Sequence, residues 1–346
     1  MAYEELVARL DESPRTLEVA AFPDGSVDIH CRVRDGDHEL STRESFKRAL
    51  DAPRSALQLA DRRREPGGQT VNMARQADAL GDDVHLAGQL EDPIFEGLPF
   101  ETTSMGVPAE VTVLAFEDED LMLAARSESE GWTFRELAEV VDPERFLSVD
   151  LICWGNARMH RDLGETVRGI LEGTAATTAG STPGAAPVLV FDPGEVGGRS
   201  DESRRALLDA FRNLDDGIRA VISVNRPEVE ALAAALPGED DTLEGKLRRL
   251  RSRAGIDGVV AHTEETAVVA TPTRTVSVPT LEIDRVVTLT GAGDRFTAGL
   301  GHGLAAGWGW KAALQLGNAC GSHYVAHGES ATGAVLRKRL PGWETR

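Results

Sequence analysis

Four short apolar runs fall in the second half of the chain: Leu151–Trp154, Val188–Phe191, Ala220–Val224 and Gly258–Ala261. Between them lie amphipathic segments with helical spacing: Arg161–Leu171, Asp201–Asn213, Pro227–Ala235 and Leu243–Ala254. The runs carry no polar alternation, so both of their faces must be buried. Strand–helix alternation of that kind demands a parallel sheet covered on both sides, the α/β class. Residues 17–22 (Leu-Glu-Val-Ala-Ala-Phe) predict a buried first strand of the same sheet. Ligands of open parallel sheets collect beyond the carboxyl ends of the strands. The loops of interest are therefore Gly155-Asn156, Asp192-Pro193-Gly194, Asn225-Arg226-Pro227-Glu228 and a glycine turn at 291–294.

A second pattern is superimposed on this one. From Ser26 to Arg34 the chain alternates, with Val27, Ile29, Cys31 and Val33 apolar and Asp28, His30 and Arg32 polar, the period of a half-exposed strand. Val111–Phe116 and Leu121–Ala125 flank a charged turn and predict a hairpin. Together these segments, about 26–40 and 108–126, predict a small sheet separate from the main one, placed to act as a lid. Residues 38–64 are charged and read as one amphipathic helix followed by a mobile connection. Pro66-Gly67-Gly68 breaks it, and Val71–Leu80 predicts a helix ended by Gly81. Gly173–Pro187, rich in Ala, Thr, Gly and Pro, reads as a flexible insertion, and the chain has no internal repeat.

The formal net charge is −20, from 57 acidic and 37 basic residues, and lysine occurs only at positions 47, 246, 311 and 338. Such a chain is a poor nucleic-acid binder, because binding needs clustered cations that displace counterions. A hydrophobic content of 41% excludes an acidic disordered protein. What remains is a surface suited to concentrated salt, which screens self-repulsion over a few ångströms. No run approaches the roughly 18 apolar residues of a membrane helix. With no secretory signal pattern either, the expectation is a cytoplasmic protein without a membrane partner. Cys31, Cys153 and Cys320 match no metal spacing and are expected to be buried thiols.

Thr290-Gly291-Ala292-Gly293-Asp294 opens an apolar segment. Glycines free the backbone to turn consecutive N–H groups into one concavity, and a helix beginning there adds its positive end. That makes an anion site suited to phosphate. A carboxylate at such a site repels its own ligand unless it serves to take a proton from an attacking hydroxyl. Asp294 in this setting points to phosphoryl transfer. Asn225 and Glu228, three residues apart at a helix start, offer hard oxygen donors for Mg²⁺ held through water; the same spacing also makes a helix cap. Gly67-Gly68 before a helix permits close backbone approach, and Asn72 lies one turn in.

In this order the motifs resemble those of the ribokinase family, the PfkB carbohydrate kinases, over residues 17–335 as a single domain. Gly67-Gly68 with Asn72-Met73-Ala74 matches the family's early glycine motif, Asn225 with Glu228 its metal motif, and Gly291-Ala292-Gly293-Asp294 its signature. Gly317-Asn318-Ala319 is similar to the segment lining its adenine pocket. The resemblance implies a three-layer α/β/α sandwich with a mostly parallel sheet and a small β lid. It implies transfer of the γ-phosphoryl group of ATP to a hydroxymethyl group of a sugar or sugar phosphate. Asp294 would be the base and the amides of Ala292, Gly293 and Asp294 the anion hole. Asp28, Gly67, Gly68 and Asn72 would bind the acceptor. Asn225, Thr263, Gly291, Gly293 and Asn318 would meet the nucleotide, and Asn225 and Glu228 would hold Mg²⁺. Family lids often pair, which makes a homodimer through the lid an expectation. Three departures stand out. Thr288-Leu289 replaces the family's Asp-Thr and leaves its K⁺ site open, Ala261-His262-Thr263 replaces Thr-Leu-Gly, and Glu91-Asp92-Pro93 replaces Gly-Asp.

The acceptor is less constrained. Arg126 and Arg158 are counted as acceptor-binding, and Arg75, His30 and His160 are further cations that suit a phosphorylated sugar. The first expectation is a pentose phosphate, ribose 1-phosphate; fructose or 2-keto-3-deoxygluconate comes next, then a nucleoside. A degenerate kinase acting as a binding regulator is the reading from another class, opposed by the retention of Asp294. A nucleotide-dependent dehydrogenase is set aside, since no Gly-x-Gly-x-x-Gly follows the first strand.

Overall fold

Successive side chains of a strand point to opposite faces, and the first strand divides its residues accordingly. Val19 and Ala21 enter one hydrophobic core, while Ala20 and Phe22 enter another on the far side of the sheet. Leu151 and Cys153 likewise join the first core, and Ile152 and Trp154 the second. Two cores on two faces require helices on both, and the computed structural model has them. It describes residues 3–12, 15–53, 56–117, 120–125, 131–178, 186–214 and 217–346.

The chain begins with α1 (Glu4–Asp11), β1 (Glu18–Phe22), β2 (Ser26–Asp35), β3 (His38–Glu39), α2 (Arg43–Asp51), β4 (Gln58–Gly67) and α3 (Gln69–Leu80). Next come β5 (Asp83–Gly88), β6 (Glu101–Ser104), β7 (Ala109–Leu114), β8 (Leu121–Ala124), α4 (Phe134–Val140), α5 (Pro143–Phe146), β9 (Leu151–Gly155) and α6 (Leu163–Thr178). The α/β units continue with β10 (Val188–Asp192), α7 (Asp201–Ala210), β11 (Arg219–Asn225), α8 (Arg226–Ala234), α9 (Leu243–Ala254) and β12 (Gly258–His262). Two further strands, β13 (Thr266–Ala270) and β14 (Thr275–Pro279), precede α10 (Ala292–Ala305), α11 (Trp310–His327) and α12 (Gly333–Arg339).

The main sheet has nine strands in the order β14-β13-β12-β11-β10-β9-β1-β5-β6. Its pairs are parallel from β6 to β12 and antiparallel for β13 and β14. The smaller sheet is built on β2, which pairs antiparallel with β4 on one flank and parallel with β7 on the other; β8 pairs antiparallel with β7. Register brings Phe22 level with Trp154, Gly155 with Asp192, and Asn225 with His262. The loops that leave these strands therefore open along one edge of the main sheet.

The expected strands and hairpin are present, and α3 ends at Gly81 with φ 99°. Three segments differ from expectation. Residues 58–67 form β4 in place of a mobile connection; its Arg62, Arg63 and Arg64 are exposed, so it lacks the apolar alternation by which a strand is recognised. Helix α6 continues to Thr178, through the first part of the expected insertion, anchored by buried Val167 and Ile170. Residues 179–185 of that insertion lie outside the described residues. Finally α1, for which no helix is expected above, packs on α11 and α12 through Leu6 and Leu10.

Candidate active site

Helix α10 starts at the glycine turn. Gly291, its N-cap, has φ 88°, a left-handed conformation natural to glycine. A Cβ there would lie 2.7 Å from Arg295 Nη1, and one on Gly293 would lie 2.9 Å from His262 Cε1. The first-turn N–H groups of a helix have no partner inside it, which leaves Gly293 and Asp294 to present theirs to the cavity edge. The expected third member differs: the Ala292 amide donates to the Leu289 carbonyl at 3.2 Å.

Asp294 is buried at the start of this helix, and its Oδ2 accepts a 2.7 Å hydrogen bond from Asn72 Nδ2 on α3. Burial first, and then the charge of Asp192, push its carboxyl well above the ordinary carboxylate range; Arg295 and the Asn72 bond act the other way. A base whose pKa lies nearer neutrality is the better proton acceptor at working pH.

The acceptor residues expected from the sequence lie together. Asp28 on β2 accepts a 2.6 Å bond from Ser26 Oγ, and burial raises its pKa. Gly67, paired with Ser26 at the end of β4, makes room for it: a Cβ there would come within 2.1 Å of the Asp28 carboxylate. Gly68, with φ 107°, caps α3 beside them. Arg158 borders the cavity and is exposed. Arg126 lies outside the described residues. His160 does not reach the site as a cation. It is buried, accepts from Trp154 Nε1 at 2.8 Å and contacts Thr166 Oγ1, and burial lowers its pKa to about 3. His30 faces Glu65 at 3.6 Å.

On the other side, Asn225 and Glu228 form the reciprocal cap that their spacing permits: the Glu228 amide donates to Asn225 Oδ1, and the Asn225 amide to Glu228 Oε2, each at 2.9 Å. Both side chains still border the cavity. Burial and the nearby charge of Asp192 push Glu228 up to about 9. A divalent ion beside these carboxylates would favour their charged forms. Among the described residues no group of three or more His, Cys, Asp or Glu side chains is arranged to hold a metal directly. Thr263 spends its hydroxyl in the β12–β13 turn, donating to Thr266 O at 2.8 Å. Asn318 borders the cavity, but its amide N–H₂ donates to Tyr3 Oη at 3.0 Å and Pro279 O at 3.2 Å. Its expected nucleotide contact is thus left to Oδ1.

Three residues carry weight here that the motifs did not mark. Asp24, just after β1, accepts from the Gln69 and Thr70 amides at 3.0 and 2.7 Å and from Asn156 Nδ2 at 3.2 Å. It ties the starts of α3 and of the loop after β9 to the loop after β1. Asp192 ends β10, accepts from Gln69 Nε2 at 2.8 Å and the Gly194 amide at 2.9 Å, and is pushed up to about 6, mainly by burial. Position after an apolar strand was the only available signal for Asp192. For Asp24 and Gln69 the signal was nearness to Asp28 and Gly68. All these groups border one cavity of about 1660 Å³, which also takes in Met122 and Ala124 of β8. Drug-sized pockets are about 300–1,000 Å³, so this one has room for two substrates. The smaller sheet reaches across it, where Thr290 Oγ1 donates to Asp120 at 2.8 Å.

Known proteins are similar to this chain in sequence and in fold. A ketohexokinase of Haloferax volcanii is 29% identical over 294 residues, covering 80% of this chain and 75% of that protein. A ribokinase of Arabidopsis thaliana, solved with ribose and ATP, superposes with a TM-score of 0.67 at 15% identity, covering 94% of this chain and 99% of that one. Escherichia coli phosphofructokinase-2, solved with substrates and products, gives 0.63 at 17% identity, covering 94% and 98%. These two establish the ribokinase fold. The family model described as prokaryotic ketohexokinase matches residues 41–343. The chain belongs to that family and is a sugar kinase, a phosphotransferase with an alcohol group as acceptor.

Proposed function

We propose that the protein transfers the γ-phosphoryl group of ATP to a primary hydroxyl of a neutral ketohexose, fructose being the first candidate. The observation that carries this is the lining of the acceptor end of the cavity. It consists of Asp24, Ser26, Asp28, Gln69, Asn72 and Asn156, with the exposed Arg158 as the only arginine or lysine among the described residues there. Carboxylates and amides exchange hydrogen bonds with hydroxyls; carboxylates repel a phosphate. Of the further cations, His160 is committed to the core, and neither Arg75 nor His30 borders the cavity. Ribose 1-phosphate, the first expectation, is therefore displaced by the sugar class that the ketohexokinase relative is named for.

In this reading Asp28 and Asn72 hold the acceptor, and the acceptor hydroxyl gives its proton to Asp294 as its oxygen attacks the γ-phosphorus. The bond to the β-bridging oxygen breaks and ADP leaves. Amides at the start of α10 stabilise the charge on the transferred group. Asn225 and Glu228 would hold Mg²⁺ through water, and the ion would neutralise phosphate charge. The small sheet acts as a lid within the single domain, excluding water so that ATP is not hydrolysed. A coupled assay with MgATP in molar KCl tests the acceptor against fructose, ribose, ribose 1-phosphate, 2-keto-3-deoxygluconate and nucleosides. Fructose turnover is expected, falling by about 10²–10⁴ in Asp294→Asn. Preference for a phosphorylated sugar or a nucleoside would overturn the assignment.

A further inference from the structure

Arginine and lysine are almost never fully buried without a partner of opposite charge. Among the described residues Arg295 is the only one of either kind that is buried, at 1% exposure. Its position is doubly unfavourable, because it lies in the first turns of α10, where the helix dipole is already positive. Packing alone does not call for a charge. The guanidinium carbon lies 4.0 Å from the centroid of the Tyr324 ring, Nη1 donates to the Gly291 carbonyl at 3.2 Å, and Nε has no partner among the described residues.

Among the described residues no carboxylate stands within 4.0 Å of the Arg295 nitrogens, yet Asp294 and Asp28 act on its charge from further off, and the surroundings are acidic. Asp24, Asp28, Asp192, Glu228 and Asp294 all border one cavity. Asp24 is answered by backbone and side-chain donors, and Asp192 by Gln69 and Gly194. Among the described residues Asp294 has the Asn72 amide alone as side-chain hydrogen-bond donor. The groups acting on it are Asp192 at the end of β10, Asp24 beyond β1, Glu228 of α8, Asn72 of α3 and Arg295 of its own helix. Only the last is a cation.

Resting on the kinase reading, we propose that Arg295 is a positioning residue. Clamped between the Gly291 carbonyl and the Tyr324 ring, it fixes the glycine turn and supplies the permanent positive charge that keeps Asp294 available as a base. Cation and turn act together, since the guanidinium that acts on Asp294 also holds the residue that starts its helix.

The test compares wild type, Arg295→Met and Arg295→Lys in the pH dependence of kcat/KM for fructose. A base must be unprotonated, so activity rises with pH through the pKa of Asp294. Removing a neighbouring positive charge raises that pKa, and the acid limb of Arg295→Met is expected about one pH unit or more higher. At a fixed pH below the limb that is about a tenfold loss per unit. Arg295→Lys keeps the charge, so its limb stays at the wild-type pH while kcat drops through the loosened turn. The same displacement is read in MgATP affinity by calorimetry. Protonated Asp294 no longer repels the nucleotide, so affinity rises as pH falls through its pKa, and in Arg295→Met this rise begins at higher pH. That readout needs no sugar: a displaced affinity profile without turnover of any sugar would overturn the acceptor assignment and uphold Arg295. A folded Arg295→Met with both profiles unmoved and an equal loss at every pH would overturn the proposal in favour of a purely structural role. If the methionine variant does not fold, a lysine variant with a displaced limb would overturn it equally.

Discussion

Two glycines show how single residues set the chemistry of this site by what they lack. Gly291 takes the left-handed turn that starts the helix of Asp294, and Gly67 leaves space for another side chain. Gly67 is half of an early Gly-Gly pair, and a methyl group there would meet the Asp28 carboxylate at 2.1 Å. The glycine is needed because a charged side chain from another strand fills the space beside it. Gly67→Ala is expected to push Asp28 aside and raise KM for the sugar by about tenfold, the worth of one hydrogen bond to a charged group. The effect on kcat and on the melting temperature should be smaller. Steady-state kinetics with a thermal melt check this, and an unchanged KM would remove Asp28 from the acceptor site. Asp294 itself was legible because its carboxylate follows a glycine turn. Arg295, one residue further on, was not legible as a site residue. Its burial depends on Tyr324, 29 positions away in the sequence, and no local pattern announces that contact.

Among the elements, the helices and apolar strands read from the sequence are present, because periodicity records burial on defined faces, while the short buried strands β5 and β13 were not read. The exposed strand β8 was read through its hairpin, but the exposed strand β4 was missed. β4 is charged from Asp61 to Glu65, since as an edge strand it faces water, and only its pairing with β2 makes it a strand. At the other edge, β8 leaves Met122 and Leu123 at 58% and 53% exposure. An apolar open edge invites pairing with another strand, which supports the expected homodimer through the small sheets. Light scattering in molar KCl should give twice the chain mass for the wild type and the chain mass for Leu123→Lys. A wild-type monomer would remove that assembly.

For the molecule as a whole, the charge of −20 and the scarcity of lysine describe the surface, and they accord with a haloarchaeal relative. Repulsion among surface carboxylates is screened over about 3 Å in molar salt and over about 10 Å at 0.1 M. The melting temperature is accordingly expected to rise between about 0.1 M and about 2 M KCl, with no equal gain from sucrose; a salt-independent melt would contradict this. The amino-acid sequence by itself determined the fold class, the order of the parallel units along the chain, the glycine turn and the placing of a carboxylate just behind it. Those features rest on local periodicity and on backbone freedom at glycine, which neighbouring residues are enough to express. Only the tertiary structure decided that Asp24, Gln69 and Asp192 brace the site, that His160 belongs to the core, and that the Arg295 guanidinium is buried against Tyr324 and the Gly291 carbonyl. These depend on which distant side chains share one low-dielectric cavity. That is settled when the strand ends are brought level and the helices close over them.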